Sequence, residues 1–378
     1  MVRRGKMPPS HHDFALREFA FYRSPEATLS RHQPGHSSSA VLFFPGCQLA
    51  GSDPGRVEAI WRHLAERISG GVGLLLDCCG APAHWAGRVD LHDEARAAFD
   101  AEWRRLGRPT VVTACATCLK MLRDFHPEVT AQSLWVRLTE TGLPEAAPIA
   151  SGPLAIHDPC TARHDGETQR AVRAIAAARG LEVHEIDGAD LTTCCGYGGL
   201  TVYADRAVAD RIAEKRIAQR PEDYLAWCAM CRDTFARHGK RTAHLLDFVF
   251  PGAAEDPAAR PDPGLSRRRD ARLALKARLL REIWGEEVSE TDEIPTVVIA
   301  EEVRRDMERK LILVEDVERV VAHAEATGQK LKDRATGRFV ASFRHGSQTF
   351  WVEYAADPGA APVVHRAWAH RMNVEAAP

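Results

Sequence analysis

Short apolar runs alternate with longer polar-rich ones through the first two thirds of the chain. Val41–Phe44, Val72–Leu76 and residues 110–114 are four or five residues long, apolar and β-prone. Runs of that kind suit strands buried on both faces of a parallel sheet. Between them, residues 56–68 and 91–106 are rich in Ala, Glu and Arg and predict helices. The alternation then returns, with strands expected over Leu154–His157, residues 183–186 and residues 224–227. Helices are expected over residues 168–179 and 204–220, with Pro221 ending the second. Strand alternating with helix predicts right-handed βαβ units. The expected fold class is α/β, with two pseudo-symmetric Rossmann-like halves carrying parallel sheets and a small C-terminal α+β domain.

The remaining segments read differently. Residues 1–39, rich in His, Arg, Ser and Pro, predict a mostly irregular N-terminal arm with one short helix near residues 13–22. Domain boundaries are expected at 40–150 for the first half, 151–252 for the second, 253–265 for a linker and 266–378 for an accessory domain. The accessory domain opens with a basic helix over residues 266–284, expected to pack Leu273, Leu275, Leu279 and Ile283 inward and leave its arginines solvated. Helices over residues 298–309 and 314–326 follow, then strands over 338–344, 348–354 and 363–369, the first two joined by a His345-Gly346-Ser347 turn. His323, His345, His365 and His370 lie scattered in this unit, which is expected to serve assembly.

Composition narrows the function classes. A length of 378 residues exceeds the ~250 that a single core usually serves, so two or three domains fit. The formal net charge of -2 gives no overall basic field, and no nucleic-acid partner is expected. No apolar run approaches the ~18 residues of a membrane span, and the N-terminus lacks the apolar stretch of a secretory signal, so a cytoplasmic protein is expected.

The ten cysteines carry the chemistry, and they form a repeat. The first half reads Cys47, then Cys78-Cys79-Gly80, then Cys115-x-x-Cys118; the second reads Cys160, then Cys194-Cys195-Gly196, then Cys228-x-x-Cys231. Five per half account for all ten. Most of them follow directly after a predicted strand, and ligands of an open parallel sheet collect outside the carboxyl ends of its strands. Clustered thiols in a large chain from a reducing compartment point to metal or redox chemistry. Zinc and iron–sulfur clusters both take thiolates. Vicinal pairs are awkward for zinc, since adjacent side chains on extended backbone diverge, and five thiols exceed one tetrahedral shell. A fifth thiolate implies a bridging ligand, an open cluster or a spare redox-active cysteine. A structural zinc protein stays as an alternative.

The doubled C-x(~30)-CCG-x(~34)-C-x-x-C pattern resembles the CCG cysteine-rich domain of heterodisulfide reductase B subunits and their bacterial relatives, over residues 40–252. The resemblance implies two noncubane [4Fe–4S] clusters, one held by Cys47, Cys78, Cys79, Cys115 and Cys118 and the other by Cys160, Cys194, Cys195, Cys228 and Cys231. Related subunits of lactate, glycolate and glycerol-3-phosphate oxidising complexes often have a degraded first repeat, whereas both repeats are complete here. The implied activity is that of an oxidoreductase acting on a sulfur group, with a small disulfide or thiol as substrate. Splitting a disulfide takes two electrons and two places to hold the nascent thiolates, which a pair of clusters facing one cavity would supply. No C-x-x-C-x-x-C-x-x-x-C ferredoxin run exists on the chain, so a ferredoxin-like iron–sulfur subunit is an expected partner. The stretch from Cys231 to Asp247 is similar to bacterial dicluster-binding proteins, some of which work beside an NAD(P)-linked flavoprotein. A non-catalytic electron-relay subunit of such a dehydrogenase is the alternative function.

Several neighbours are candidates for supporting roles. His157 is the candidate catalytic residue, as a hydrogen-bond donor to a cluster sulfide or a proton donor to a product thiolate; an ordinary buried histidine is its plain reading. His84 and Tyr197 are candidates to line a substrate cavity, and Lys120 to steer an anionic substrate. Gly80 and Gly196 fit positions of positive φ or close backbone approach, Pro45 and Pro159 stiffen the loops before Cys47 and Cys160, and Gly198-Gly199 is too short a fragment for a phosphate loop.

Overall fold

The computed structural model describes residues 9–147, 149, 151–188, 191–252, 256–287, 296–357 and 359–371. Two compact units divide the chain, the larger containing Ala15–Pro263 and Arg268–Glu286 and the smaller containing Gly264–Arg267 and the chain from Glu287 onward. The fold is mixed α/β with parallel-rich sheets, as the alternation of apolar runs predicts.

Helix α1 (Pro9–Tyr22) opens the described chain. Strands β1 (Leu29–Arg31), β2 (Val41–Phe44), β3 (Val72–Leu76), β4 (Thr110–Thr113) and β5 (Ala131–Ser133) form the first sheet, with helices α2 (Cys47–Ser52), α3 (Pro54–Arg67), α4 (Ala81–Ala86), α5 (Val89–Arg105), α6 (Ala116–Phe125) and α7 (Leu134–Thr141) between and after them. The second sheet comprises β6 (Leu154–His157), β7 (Val183–Glu185), β8 (Asp223–Ala226) and β9 (Thr242–His244), with α8 (Gly166–Ala178), α9 (Thr201–Ala204), α10 (Arg206–Ile217), α11 (Ala229–Arg237) and α12 (Leu245–Val249).

Strand order runs β1-β3-β2-β4-β5 in the first sheet and β7-β6-β8-β9 in the second. Apart from β1, which pairs antiparallel with β3, every pairing in both sheets is parallel. The four strands shared by the halves therefore have one topology. The central strands β2 and β6 are buried throughout, which is why they read as unbroken apolar runs. The halves share a single apolar core that joins Phe43, Leu74 and Val112 of one to Ile156, Leu225 and Leu246 of the other. Trp135 and Trp227 meet edge-on within it, ring centres 6.2 Å apart.

Helix α13 (Leu265–Leu279) differs from its expected character. Arg268, Arg269 and Arg272 are buried beside Leu275 and Leu279, while Leu273 is only partly covered. Carboxylates explain two of these burials: Arg268 pairs with Asp233 and Asp262, and Arg269 with Glu18. A buried cation persists when it is paired, and sequence periodicity carries no sign of those partners. The N-terminal segment is also more ordered than its composition suggests, because Phe14, Phe19, Tyr22 and Leu29 are buried and β1 extends the first sheet.

In the smaller unit, β10 (Val298–Ile299), β14 (Val363–His370), β13 (Gln348–Ala355), β12 (Phe339–His345) and β11 (Lys330–Lys332) form one sheet in that order. Helix α15 (Val314–Thr327) packs on β12 and β13, and α14 (Glu301–Arg309) on β14. The expected helix from residue 298 begins instead at Glu301, since Val298 and Ile299 pair in parallel with β14.

Candidate metal centre

Both sheets deliver their cysteines at the carboxyl ends of their strands. Chain leaving β2 reaches Cys47, the first residue of α2, and chain leaving β3 passes Asp77 to the Cys78-Cys79 pair. After β4, Cys115 is the N-cap of α6 and Cys118 lies in its first turn. In the second half β6 leads to Cys160, while Cys228 is the N-cap of α11 with Cys231 in its first turn. Cys194-Cys195 closes the longer loop after β7. In each sheet the chain adds a strand on one side of the central strand and then crosses to the other, and this reversal opens a crevice at the carboxyl edge.

The two crevices meet in one place. All ten cysteines line a single cavity of about 380 Å³, together with Gln48, Leu49, Pro82, Trp85, Thr117, Thr161, Tyr197, Gly198, Thr201, Met230 and His244 among others. Among the described residues that line it there is no Asp, Glu, Lys or Arg. Thr117 and Thr161, one from each half, bond Oγ1 to Oγ1 at 3.2 Å across the seam.

Within each half the five thiols touch in a line, and the line has the same order twice. Cys47 meets Cys78, which meets Cys79, then Cys118, then Cys115. Cys160 meets Cys194, which meets Cys195, then Cys231, then Cys228. None is in a disulfide. They do not close on a point: among the described residues no three His, Cys, Asp or Glu side chains converge as around a single bare ion.

Acidity differs from thiol to thiol along each line. Hydrogen bonds from the thiols of Cys118 and Cys78 draw Cys79 down to about 6. Cys115 is lowered by Cys118 and by N–H groups of the first turn of α6, and Cys228 in the same way by Cys231 and the first turn of α11. Helix N-termini favour anions in this manner. Cys194 is lowered strongly by Cys160 and Cys195, and also accepts the Gly196 N–H at 3.3 Å. Cys47, Cys78, Cys118, Cys160, Cys195 and Cys231 are pushed up, each by a neighbouring thiol and by burial. Five adjacent thiols cannot all ionise unless positive charge sits among them.

Other features fit a group held along each line of thiols. A Cβ on Gly46, whose φ is 82°, would stand 3.1 Å from Cys115 Cβ and 3.2 Å from Cys118 Sγ, so only glycine lets this loop approach the Cys-x-x-Cys turn. Gly198 comes within 3.8 Å of both Cys160 Sγ and Cys194 Sγ by the same measure. The wall behind the first line holds Arg272, fully buried, with Nη1 and Nη2 lacking hydrogen-bond partners among the described residues. Behind the second stands His157, also fully buried, with Nε2 in the same condition. Orphaned buried donors are costly, and an acceptor-rich anionic group in each line would use them.

The sequence candidates fall into two groups. The ten cysteines and Tyr197 line the cavity. His157 does not; its Nδ1 accepts from Arg216 Nε at 3.2 Å, and burial, then Arg216, lowers it to about 3. His84 is exposed and packs on His92 and Phe125. Lys120 points to solvent and pairs with Asp124 at 2.7 Å. Trp85 and His244 line the cavity without having been singled out. The signal for His244 was available in outline, since it ends the strand beside β8 and accepts the Leu246 N–H as cap of α12.

The family model of the CCG cysteine-rich domain matches residues 41–123 and again 154–235, spans that contain all ten cysteines. The chain carries two CCG domains. It is 25% identical over 219 residues to an uncharacterized iron–sulfur protein of Methanococcus maripaludis, covering 53% of this chain and 42% of that protein. A second such protein, from Methanocaldococcus jannaschii, is 25% identical over 184 residues, covering 47% and 36%. The chain thus spans less than half the length of the curated relatives it matches. No described helix is long and apolar enough to cross a membrane.

Proposed function

We propose that the two CCG domains each hold a [4Fe–4S] cluster, of the noncubane type, through their five cysteines, and that the protein is the cytoplasmic iron–sulfur subunit of a heterodisulfide-reductase-like complex. The observation that carries this reading is the pair of five-thiol lines, identical in order, facing one cavity. A line of five sulfurs exceeds a tetrahedral zinc shell and offers the thiolates an iron–sulfur group requires. Both curated relatives are described as iron–sulfur proteins, which supports the same choice.

When bound, such clusters would pass single electrons and offer iron sites for sulfur. The chain's own residues would do the rest. Reduction of R–S–S–R′ consumes two electrons and two protons and yields two thiols. The uncharged wall formed by Leu49, Pro82, Trp85 and Met230 would take the neutral arms of the disulfide and exclude water. His244, its Nδ1 already accepting from Leu246, carries its proton on Nε2 when neutral, and burial lowers it to about 4. It would donate a hydrogen bond in the cavity without adding charge. His157 would donate its unused Nε2–H toward the second thiol line, near Cys194. Electrons would come from a ferredoxin-like or NAD(P)-linked flavoprotein subunit.

The test is direct. Anaerobically purified protein should contain iron and acid-labile sulfide in amounts matching two clusters, and with a reduced donor should cleave an uncharged disulfide faster than a charged one. Zinc in place of iron would overturn the reading; clusters that never bind a thiol would leave only the electron-relay role.

A further inference from the structure

Each thiol line is backed by a buried side chain with unspent N–H groups. Behind the first line, Arg272 donates Nε–H to the Ala27 carbonyl at 2.9 Å, while neither terminal nitrogen has a hydrogen-bond partner among the described residues. Cys47, Asp77, Cys78 and Tyr22 are among the ionisable groups within its electrostatic reach, as is Lys276 on its own helix. Close packing of α13 on α2 brings it there. A Cβ on Gly51, one turn after Cys47, would lie 3.0 Å from the Arg268 carbonyl and 3.2 Å from Arg268 Cβ, and Arg272 follows one turn later on the same face.

Behind the second line another buried guanidinium, Arg216, lies within electrostatic reach of Cys231. Its nitrogens, unlike those of Arg272, all have partners, Asp187 O and Gln219 Oε1 at 2.7 Å each, Thr192 Oγ1 at 3.2 Å, and His157, and these neutral acceptors leave its charge in place. The unspent donor there is the Nε2–H of His157, on a ring that burial keeps neutral. The cysteines repeat between the halves and this backing does not, because α13 lies outside the duplication.

A guanidinium sealed from water with two nitrogens unpaired is a costly arrangement without an anion to face. Resting on the reading of two iron–sulfur sites, we propose that Arg272 is a positioning residue that supplies fixed positive charge to the site of the first CCG domain and so raises the potential at which that site accepts an electron. A nearby positive charge stabilises the reduced, more negative form, whereas a neutral hydrogen-bond donor does so less.

The experiment is an anaerobic redox titration followed by electron paramagnetic resonance on the full-length protein, with C79S and C195S assigning each reduction step to its domain. R272Q should move the first-domain step to lower potential and leave the second unmoved, and R272K should keep it near wild type. If R272Q instead loses iron from the first domain alone while R272K retains it, the charge role is equally supported. Steps that stay in place in R272Q, or move together, overturn the proposal. Wild-type protein without iron would fail the proposed function itself, which the metal analysis preceding the titration distinguishes.

Discussion

Ser52 donates its hydroxyl to Asp233 at 2.5 Å, and that bond ties the helix beginning at Cys47 to the helix carrying Cys231. Asp233 is fully buried and also receives Arg232 Nη1 and Arg268 Nη2, each at 2.6 Å. Burial pushes its carboxyl up, but Arg268 and Arg232 outweigh it and hold the group below its ordinary range. One carboxylate thus fixes both CCG domains and α13 to each other behind the cavity.

Asp233→Asn should therefore act on both domains at once. It leaves the buried Arg232 without its paired anion and Arg268 with Asp262 alone, which costs ~3–5 kcal/mol. The expected outcome is a large fall in the urea midpoint with iron lost from both sites in parallel. A variant with wild-type stability would show that solvent reaches the cluster of charges.

Single cysteine variants should act on one domain only. Cys118→Ser interrupts the first line between Cys79 and Cys115, and Cys231→Ser the second between Cys195 and Cys228. Each should remove about half of the iron if each line binds one cluster. Cys115 lies within electrostatic reach of Cys228 across the seam, so magnetic interaction between the two reduced sites should disappear in either variant. Metal analysis and electron paramagnetic resonance check both points.

The glycines that follow the vicinal pairs should differ in tolerance. A Cβ on Gly196, at φ 102°, would lie 2.5 Å from the Ala209 carbonyl oxygen, a backbone atom of α10. One on Gly80, at φ 83°, would meet His92 Cδ2 at 3.0 Å, which a side chain can yield. Gly196→Ala should cost ~2–4 kcal/mol through clash and left-handed strain, and Gly80→Ala ~1 kcal/mol. Urea unfolding of the two variants orders them.

Much of this was legible in the residues. Val41–Phe44 and Leu154–His157 announced central parallel strands because both of their faces are buried, and the doubled cysteine spacing announced a duplicated site. Strands β5 and β9 were not visible, since Ala-Gln-Ser and Thr-Ala-His are three residues long and become strands only by pairing with β4 and β8. The arginines of α13 were read as solvated because amphipathic periodicity treats charge as surface. Asp233, Asp262 and Glu18, which bury two of them, come from remote segments. His244 escaped notice because a cavity wall is assembled from the ends of several strands, and no single stretch shows it.

Acid should weaken the fold through two histidines. Burial lowers His157 to about 3 and His244 to about 4, from an ordinary value of 6.5. In the unfolded chain both rings take a proton as pH falls through 6.5, while in the native protein both stay neutral until pH 4 or below. The unfolded state therefore binds more protons over that window, and stability declines as pH drops through it. At pH 5 each histidine contributes a loss of ~2 kcal/mol relative to neutral pH, from about 1.4 kcal/mol per pH unit. Below pH 3 neither adds further loss. His157→Gln keeps an acceptor for Arg216 and removes one titrating ring, so the drop in urea midpoint between pH 7 and pH 5 should shrink by that share. An unchanged drop would mean that water reaches His157 and lets it protonate in the native state, which its complete burial against Phe235 and Arg216 opposes.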